Sequence, residues 1–245
     1  MRRIARDGAR QQRQAHPVGG VIVGRVVAFL LDRGDVKAVR DAAILSIMTD
    51  GLLRRSEVAA LRLSDVDADE HGMSVIVREA KNLPAGEVDR RYLSDQAAEA
   101  INRWLDMLGD DQDDCGYLFR PVMRGGVIRH VTRDRTGPAD GRGGRPARLD
   151  GHAVNRMLKA RLREAKEAGA LAGLRLDRLD LDNVSGHSLR VGGALDFAEG
   201  GEAILEIMKA GGWRSAEMVS RYTSRLDVRN GAAARRAIAQ GRSAA

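Results

Sequence analysis

The stretch that decides the fold runs from Gly186 to Tyr222 and reads GHSLRVGGALDFAEGGEAILEIMKAGGWRSAEMVSRY. His187 and Arg190 are three residues apart, so on a helix they share a face and reach toward the same anionic group. Trp213 follows in a predicted turn, and Tyr222 ends a helix whose apolar residues seat it on a core while the phenol faces a cleft. An imidazole, a guanidinium, an indole N–H and a phenol in one stretch are able to bind a phosphate and attack it.

The composition is that of a soluble globular protein with a basic surface. The chain has 245 residues, 43% hydrophobic and 31% charged, which is enough for one sizeable core. Its net charge is +7, mostly from arginine, and this balance favours a polyanionic partner, usually nucleic acid; an ordinary charged surface is the alternative. Cys115 is the only cysteine, which excludes a disulfide within the chain and fits a reducing compartment.

Three further features limit the kinds of site and location to expect. The five histidines are scattered, and none has the spacing of a metal-binding motif. Arg2 and Arg3 are not followed by an apolar segment, so a secretory signal is not expected. The longest apolar run near the start, Val18 to Leu31, is interrupted by Arg25 and is too short to span a bilayer. We therefore expect a cytoplasmic protein that uses no metal and no other cofactor.

Hydrophobic periodicity predicts a mainly α-helical fold with a small antiparallel β-sheet. The predicted helices, recognised by apolar stripes and capping residues, cover 18–31, 36–50, 95–108, 150–168, 187–200, 204–211 and 215–223. Two strands are predicted over Met73–Glu79 and Val88–Ser94. The connection between them holds Lys81 near its tip, where a lysine is either a solvated loop residue or, beside a phosphate, a proton donor.

The segment Leu52–Val66, LLRRSEVAALRLSDV, places an arginine and a glutamate in an apolar context. Arg54 and Glu57 are three residues apart and would face the same way on a helix. As an exposed pair they would contribute only roughly a few tenths of a kcal/mol to stability. In so apolar a segment we favour a cleft in which Glu57 orients the arginine, and a purely structural ion pair is the alternative.

Three segments are rich in arginine. Residues 1–17 form a polar arm that is either a contact for a phosphate backbone or a solvated tail. Between Arg120 and Arg148 there are eight arginines against two aspartates, with several glycines and prolines, which is typical of a basic loop that contacts DNA. Residues 227–245 are rich in alanine and arginine and are predicted to form an amphipathic helix.

Seven residues resemble, in type and order, the active site of the tyrosine recombinase (phage integrase) family: Arg54, Glu57, Lys81, His187, Arg190, Trp213 and Tyr222. The segment Leu52–Val66 is similar to the family's first arginine box, GHSLRVGGALDFA to its His-x-x-Arg box, and EIMKAGGWRSAEMVSRYTSRLD to its tyrosine box. Trp213 lies 23 residues after Arg190 and nine before Tyr222, and both spacings match one branch of the family. The resemblance covers about residues 36–231. Each residue alone is a weak signal, but together and in this order they are a strong one.

The resemblance implies a role for the main groups. Tyr222 is the expected nucleophile, which attacks a DNA phosphodiester to give a 3′-phosphotyrosyl link and a free 5′-hydroxyl. Arg54 and Arg190 are expected to clamp the non-bridging oxygens, since bidentate guanidinium groups stabilise the developing charge without a metal ion. His187 would bind the same oxygens or take the tyrosine proton, because a phenol with a pKa of about 10 needs a base at neutral pH.

Three further residues complete the expected site. Lys81 would protonate the leaving 5′-oxygen, Trp213 would donate its indole N–H to the phosphate, and Glu57 would hold the arginines in place. Because the covalent link keeps the bond energy, resealing would need neither ATP nor a metal. The resemblance also implies a double-stranded DNA substrate and a homotetramer on paired sites, with residues 227–245 packed on a neighbouring subunit.

The expected domain organisation is a basic arm or interdomain linker over 1–17, a tyrosine recombinase catalytic domain over 18–226, and the tail over 227–245. Family members that act alone have an N-terminal helical domain that closes around the duplex. We expect this chain to lack that domain, either as a truncated piece or after loss of the clamp. Two alternatives to a site-specific recombinase stay open: a DNA-binding relic that does not cut, and a type IB topoisomerase, against which the tyrosine box and the small size count.

Overall fold

The computed structural model describes residues 15–78, 88–109, 116–129, 131–132, 145–176, 179–224 and 231–242. The helices are α1 Gly20–Arg33, α2 Val36–Asp50, α3 Arg55–Ala60, α4 Asp95–Leu108, α5 Gly151–Glu167, α6 Gly186–Gly200, α7 Ile204–Gly211, α8 Ala216–Thr223 and α9 Ala232–Ala239. The strands are β1 Val66–Asp69, β2 Gly72–Val77, β3 Asp89–Leu93, β4 Val131–Thr132 and β5 Arg145–Pro146. The predicted helices are confirmed within two residues at each end, and with them the mainly helical fold.

Helix α2 is the centre of the fold. Every side chain from Ala38 to Met48 is buried, because α1, α4 and α6 pack around this helix. The sequence predicted a single apolar stripe here. The structure differs in that the charged residues Arg40 and Asp41 are buried as well. They form a pair with a distance of 2.5 Å between Nη2 and Oδ1. Asp35 caps the first turn by accepting the Ala38 backbone N–H at 3.0 Å.

The antiparallel sheet has three strands in the order β1–β2–β3, with β2 in the middle. The predicted pairing of β2 with β3 is confirmed, and Val75 of β2 lies opposite Arg91 of β3. Strand β1 was missed because it has only four residues, VDAD, two of which are aspartates, a residue type that is depleted in strands. Most of the connection between β2 and β3, Lys81 included, lies outside the described residues.

The C-terminal helices enclose a second, smaller apolar cluster beside the main core, formed by Leu52, Val191, Ala194, Ile207, Trp213, Val219 and Tyr222. As the sequence predicted, Val219 is buried one turn before Tyr222 and seats the tyrosine's helix on apolar side chains. Helix α9 buries no side chain of its own. It contacts the end of α6, where Arg235 donates to the carbonyls of Ala198 at 3.2 Å and Glu199 at 3.4 Å. Docking of this helix on a neighbouring subunit stays a prediction.

One end of the arginine-rich segment 120–148 differs from the expectation. Arg120 is fully buried and donates its Nε–H to the Tyr117 carbonyl at 3.4 Å, so it is not available to a DNA backbone. Arg124 and Arg129 are exposed, as expected of a DNA-contacting loop. The middle of the segment lies outside the described residues. Among the helices of the described part of the chain, none is long and apolar enough to cross a membrane.

Candidate active site

The link between α2 and α3 has an unusual backbone. Helix α2 ends at Asp50 and Gly51 follows, as predicted, but it is Leu52 that takes the left-handed conformation, with φ at +49°. This conformation is strained for a leucine and persists only where the surroundings impose it. Leu52 is fully buried, and its carbonyl accepts a hydrogen bond from Arg190. A guanidinium from the second half of the chain therefore holds a kink in the first half.

Arg54 and Glu57 form the pair that the sequence favoured. The Glu57 carboxylate accepts the Arg54 backbone N–H at 2.8 Å and the side-chain Nη1–H at 2.5 Å. Glu57 is buried, whereas the Arg54 side chain is 28% exposed. A buried carboxylate thus fixes a guanidinium that still has accessible donors for a ligand.

Arg190 is buried in the first half of α6. Besides its bond to Leu52, it donates to the Gly211 carbonyl at 3.0 Å, and its Cζ lies 4.6 Å from the centre of the Trp213 ring. Burial and the neighbouring Arg54 lower the pKa of Arg190 to about 10, so the group is still a cation at neutral pH. Two neighbouring guanidinium groups that share one carboxylate, Glu57, favour the binding of an anion.

His187 is the second residue of α6, and the start of this helix is held by a contact with α5. The backbone N–H of Gly186 donates to Asn155 Oδ1 at 2.8 Å. Surrounding protein atoms desolvate the partly exposed imidazole, and Arg190 and Arg54 add positive charge nearby, so the pKa of His187 is lowered from 6.5. The imidazole is therefore neutral at pH 7 and able to accept a proton.

Tyr222 lies in the last turn of α8 with its ring among aromatic neighbours. The ring centre is 5.4 Å from that of His187 in an edge-to-face arrangement and 5.7 Å from that of Trp213. Trp213 occupies the turn between α7 and α8, as predicted. Its Nε1–H is buried and has no hydrogen-bond partner within the described part of the chain. Burying an unpaired donor is costly, so a ligand oxygen at this point would be stabilising.

The structure thus brings six of the predicted residues into one cluster: Arg54, Glu57, His187, Arg190, Trp213 and Tyr222. Lys81 lies outside the described residues. The sequence did not indicate the two carbonyl groups that hold Arg190, those of Leu52 and Gly211. No sequence signal could have marked them, because every residue has a backbone carbonyl.

The sequence profile described as the phage integrase family matches residues 25–229. The chain belongs to the phage integrase family. The recombinase Cre of Escherichia phage P1 is 29% identical to it over 239 residues, which cover 96% of this chain and 64% of the relative. An integrase/recombinase XerD homolog of Selenomonas ruminantium is 27% identical over 209 residues, 83% of this chain and 52% of the relative. The integrase-family chain therefore spans about half to two thirds of the length of these relatives.

Solved structures of integrase-family proteins have the same fold. The XerA recombinase matches with a TM-score of 0.62 at 20% identity, over 97% of this chain and 67% of XerA. The XerH site-specific recombinase, bound to palindromic difH substrate in a post-cleavage complex, matches with a TM-score of 0.61 at 13% identity, over 93% of this chain and 54% of XerH. These likenesses confirm the fold that the sequence predicted. The similarity to Cre agrees with the family resemblance that the sequence indicated.

Proposed function

We propose that this chain is a site-specific recombinase that cleaves and rejoins double-stranded DNA through a 3′-phosphotyrosyl intermediate. The observation that carries the proposal is the cluster in which the Tyr222 ring contacts His187 and Trp213 while Arg54 and Arg190 supply positive charge beside them. Membership of the family supports it. So do neighbours in fold that are bound to DNA, among them XerH on its difH substrate and a lambda integrase dimer on a core site.

Cleavage would begin with attack of the Tyr222 hydroxyl oxygen on the scissile phosphorus. As the new P–O bond forms, the phenol proton passes to the neutral imidazole of His187, whose ring lies against that of Tyr222. The P–O5′ bond breaks, and its electron pair leaves with the 5′-oxygen, which takes a proton that we assign to Lys81. Arg54 and Arg190 hold the non-bridging oxygens, where negative charge increases in the transition state.

Rejoining would reverse these steps with a different 5′-hydroxyl. The hydroxyl gives its proton to Lys81 as its oxygen attacks the phosphotyrosyl phosphorus and the new P–O5′ bond forms. The bond between phosphorus and the Tyr222 oxygen breaks, and the phenolate takes back its proton from His187. The covalent link conserves the energy of the broken bond, so the proposal requires no ATP. It also requires no metal, because the guanidinium groups supply the positive charge that metal ions supply elsewhere. The unpaired Trp213 Nε1–H would find its acceptor on the phosphate.

We further propose that the active form is a homotetramer on paired DNA sites, with residues 227–245 packed on a neighbouring subunit. The division into an arm over 1–17, a catalytic domain over 18–226 and this tail belongs to the same proposal. What supports assembly on DNA is a fold neighbour, lambda integrase, in which two subunits are bound to a core site.

A nicked suicide duplex, from which the cleaved strand end diffuses away, tests the activity. A pool of such duplexes with randomised arms is incubated with the protein in EDTA, and covalent adducts are isolated on a denaturing gel and sequenced. We expect an adduct with the wild type and a decrease of about 10³-fold or more with Tyr222→Phe, as for loss of a nucleophile elsewhere. Tyr92→Phe is the matched control, because Tyr92 is an exposed tyrosine on β3.

The alternatives give different results in the same experiment. A protein that shifts the duplexes in a native gel but forms no adduct is a DNA-binding relic. Relaxation of supercoiled plasmid without any selected sequence indicates a topoisomerase. An adduct that persists in Tyr222→Phe would show that another residue is the nucleophile.

A further inference from the structure

Arg91, on β3, is outside the predicted site residues but reaches the same turn as Arg190. It stands next to Arg90 in the strand sequence DRRYL, and nothing in that sequence distinguishes the two arginines. Because successive residues of a strand face opposite sides, only one of them points inward. The side chain of Arg91 is 7% exposed, whereas that of Arg90 is 54% exposed and pairs with Asp67 on the outer side of the sheet.

The guanidinium of Arg91 holds the C-terminal end of α7. Its Nη1–H donates to the carbonyl of Ala210, with that of Lys209 at 3.5 Å, and its Nη2 pairs with Asp89. The last carbonyls of a helix lack partners within the helix and carry partial negative charge, so an arginine there satisfies and stabilises them.

Arg190 donates to the next carbonyl of the same turn, that of Gly211. Gly212 then turns the chain with φ at +60°, and a side chain at this position would overlap the guanidinium group of Arg91. Trp213 follows, and its ring contacts Tyr222. The two arginines therefore fix the backbone that sets the position of the tryptophan and, through it, of the tyrosine.

We propose that Arg91 is a positioning residue, which fixes the turn between α7 and α8 on the base of the β2–β3 hairpin and so keeps Trp213 and Tyr222 in place beside Arg190. This inference rests on the proposed function. It also links strand β3 to the turn that leads into the helix containing Tyr222.

A purely stabilising role fits Arg91 poorly. Its Nε–H is buried and has no hydrogen-bond partner among the residues that the structure describes. An apolar side chain of similar length would have no buried N–H to leave unpaired, but it would take the partner from the Ala210 carbonyl and from Asp89. Buried ion pairs are often no more stabilising than their apolar replacements. An apolar side chain would not supply the two hydrogen bonds by which Arg91 joins Asp89 to the C-terminal end of α7.

The test compares Arg91→Met with Arg90→Met, a change of the same type on the exposed side of the same strand. Single-turnover adduct formation is measured with the suicide duplexes at saturating DNA, dissociation constants by gel shift, and hydrogen exchange over residues 209–215. We expect Arg91→Met to form adduct about 10- to 100-fold more slowly, as for a misplacement of about 1 Å. DNA affinity should stay within about twofold of the wild type, since the buried Arg91 has no direct access to DNA. Exchange over 209–215 should become faster.

Arg91→Lys and Asp89→Asn complete the comparison. The lysine keeps a positive charge at the C-terminal end of α7 but lacks the planar guanidinium that binds two partners at once. We therefore expect it to restore part of the rate of adduct formation. If Arg91→Met fails to fold, Asp89→Asn leaves the arginine in place, removes its charged partner, and should slow adduct formation in a folded protein.

The inference is overturned if folded Arg91→Met forms adduct at the wild-type rate, if DNA affinity falls as much as the rate, or if exchange over 209–215 is unchanged. Equal effects of Arg90→Met and Arg91→Met would also overturn it. A wild type that forms no adduct contradicts the proposed function instead, and the exchange measurement then still decides whether Arg91 holds the turn.

Discussion

At the scale of single residues, the charge state of His187 decides how the site works. Desolvation and two nearby cations, Arg190 and Arg54, all lower its pKa from 6.5. A neutral imidazole suits a base that takes the proton of Tyr222, whereas a protonated one suits a donor to the phosphate. The two cations that we propose to bind the phosphate therefore also favour, together with burial, the neutral form of the proposed base.

We expect the second-order rate of adduct formation, measured at DNA concentrations below the dissociation constant, to fall on acidification with a midpoint below the ordinary imidazole value of 6.5. This rate reports ionisations of the free protein, and protonation of His187 removes the base. His187→Gln should abolish this decrease in rate at low pH, together with most of the activity. A rate that increases on acidification would show that the protonated imidazole is the active form.

At the scale of elements, helix α6 holds both His187 and Arg190, and the segment that leads into α1 contacts this helix. The Val18 backbone N–H donates to the Ser188 carbonyl at 3.0 Å, and the Gly20 N–H donates to Asp196 Oδ2 at 2.6 Å. Gly192 lies where the two segments cross, and a side chain there would overlap the Val18 carbonyl. The absence of a side chain at this one position allows the close contact.

Replacing Gly192 with alanine should therefore displace α6 from the chain before α1. We expect a loss of about 1–3 kcal/mol in the free energy of unfolding, the usual cost of overpacking, measured by urea denaturation. Adduct formation should slow as well, because His187 and Arg190 move with the helix. Gly200→Ala is the control on the same helix: nothing lies within 4 Å of its added carbon, and we expect stability to change by no more than about 0.5 kcal/mol. Equal effects of the two changes would contradict the crossing as the cause.

At the scale of the whole molecule, a buried group of charges joins the central helix to α5. Asp41 of α2 is 1% exposed and pairs with Arg40 of the same helix and with Arg161 of α5, the latter at 2.8 Å. Burial alone would lower the pKa of Arg161, but Asp41 and Glu164 outweigh it and raise that pKa. Helix α5 in turn provides Asn155, which anchors the start of α6. The core contact and the site are thus connected through α5.

Asp41→Asn should destabilise the whole domain. It leaves two buried guanidinium groups without their common carboxylate, and breaking a buried ion pair from one side typically costs about 3–5 kcal/mol. Urea denaturation measures the difference, with Asp67→Asn as the control, since the Asp67–Arg90 pair is exposed and should contribute less than about 1 kcal/mol. A loss below that value for Asp41→Asn would show that other groups balance the buried arginines.

Most elements of the fold were predictable because their signals are local. Apolar residues at helical spacing and the caps Ser94, Asp150 and Ser215 gave the limits of α4, α5 and α8, and each of these side chains accepts a backbone N–H as a cap should. Strand β1 has only four residues, two of them aspartates, and is too short to give a clear local signal, so only its pairing with β2 reveals it.

The sequence by itself determined the candidate groups for attack on a phosphate, and their order, because few side chains suit that chemistry and the spacing within each motif is local. Only the tertiary structure decided how they are held: the left-handed turn at Leu52, the burial of Arg40 and Asp41, and the choice of Arg91 rather than Arg90 for the α7 terminus. Each of these depends on a partner supplied by another segment, and the free energy of that contact exists only once the chain has folded.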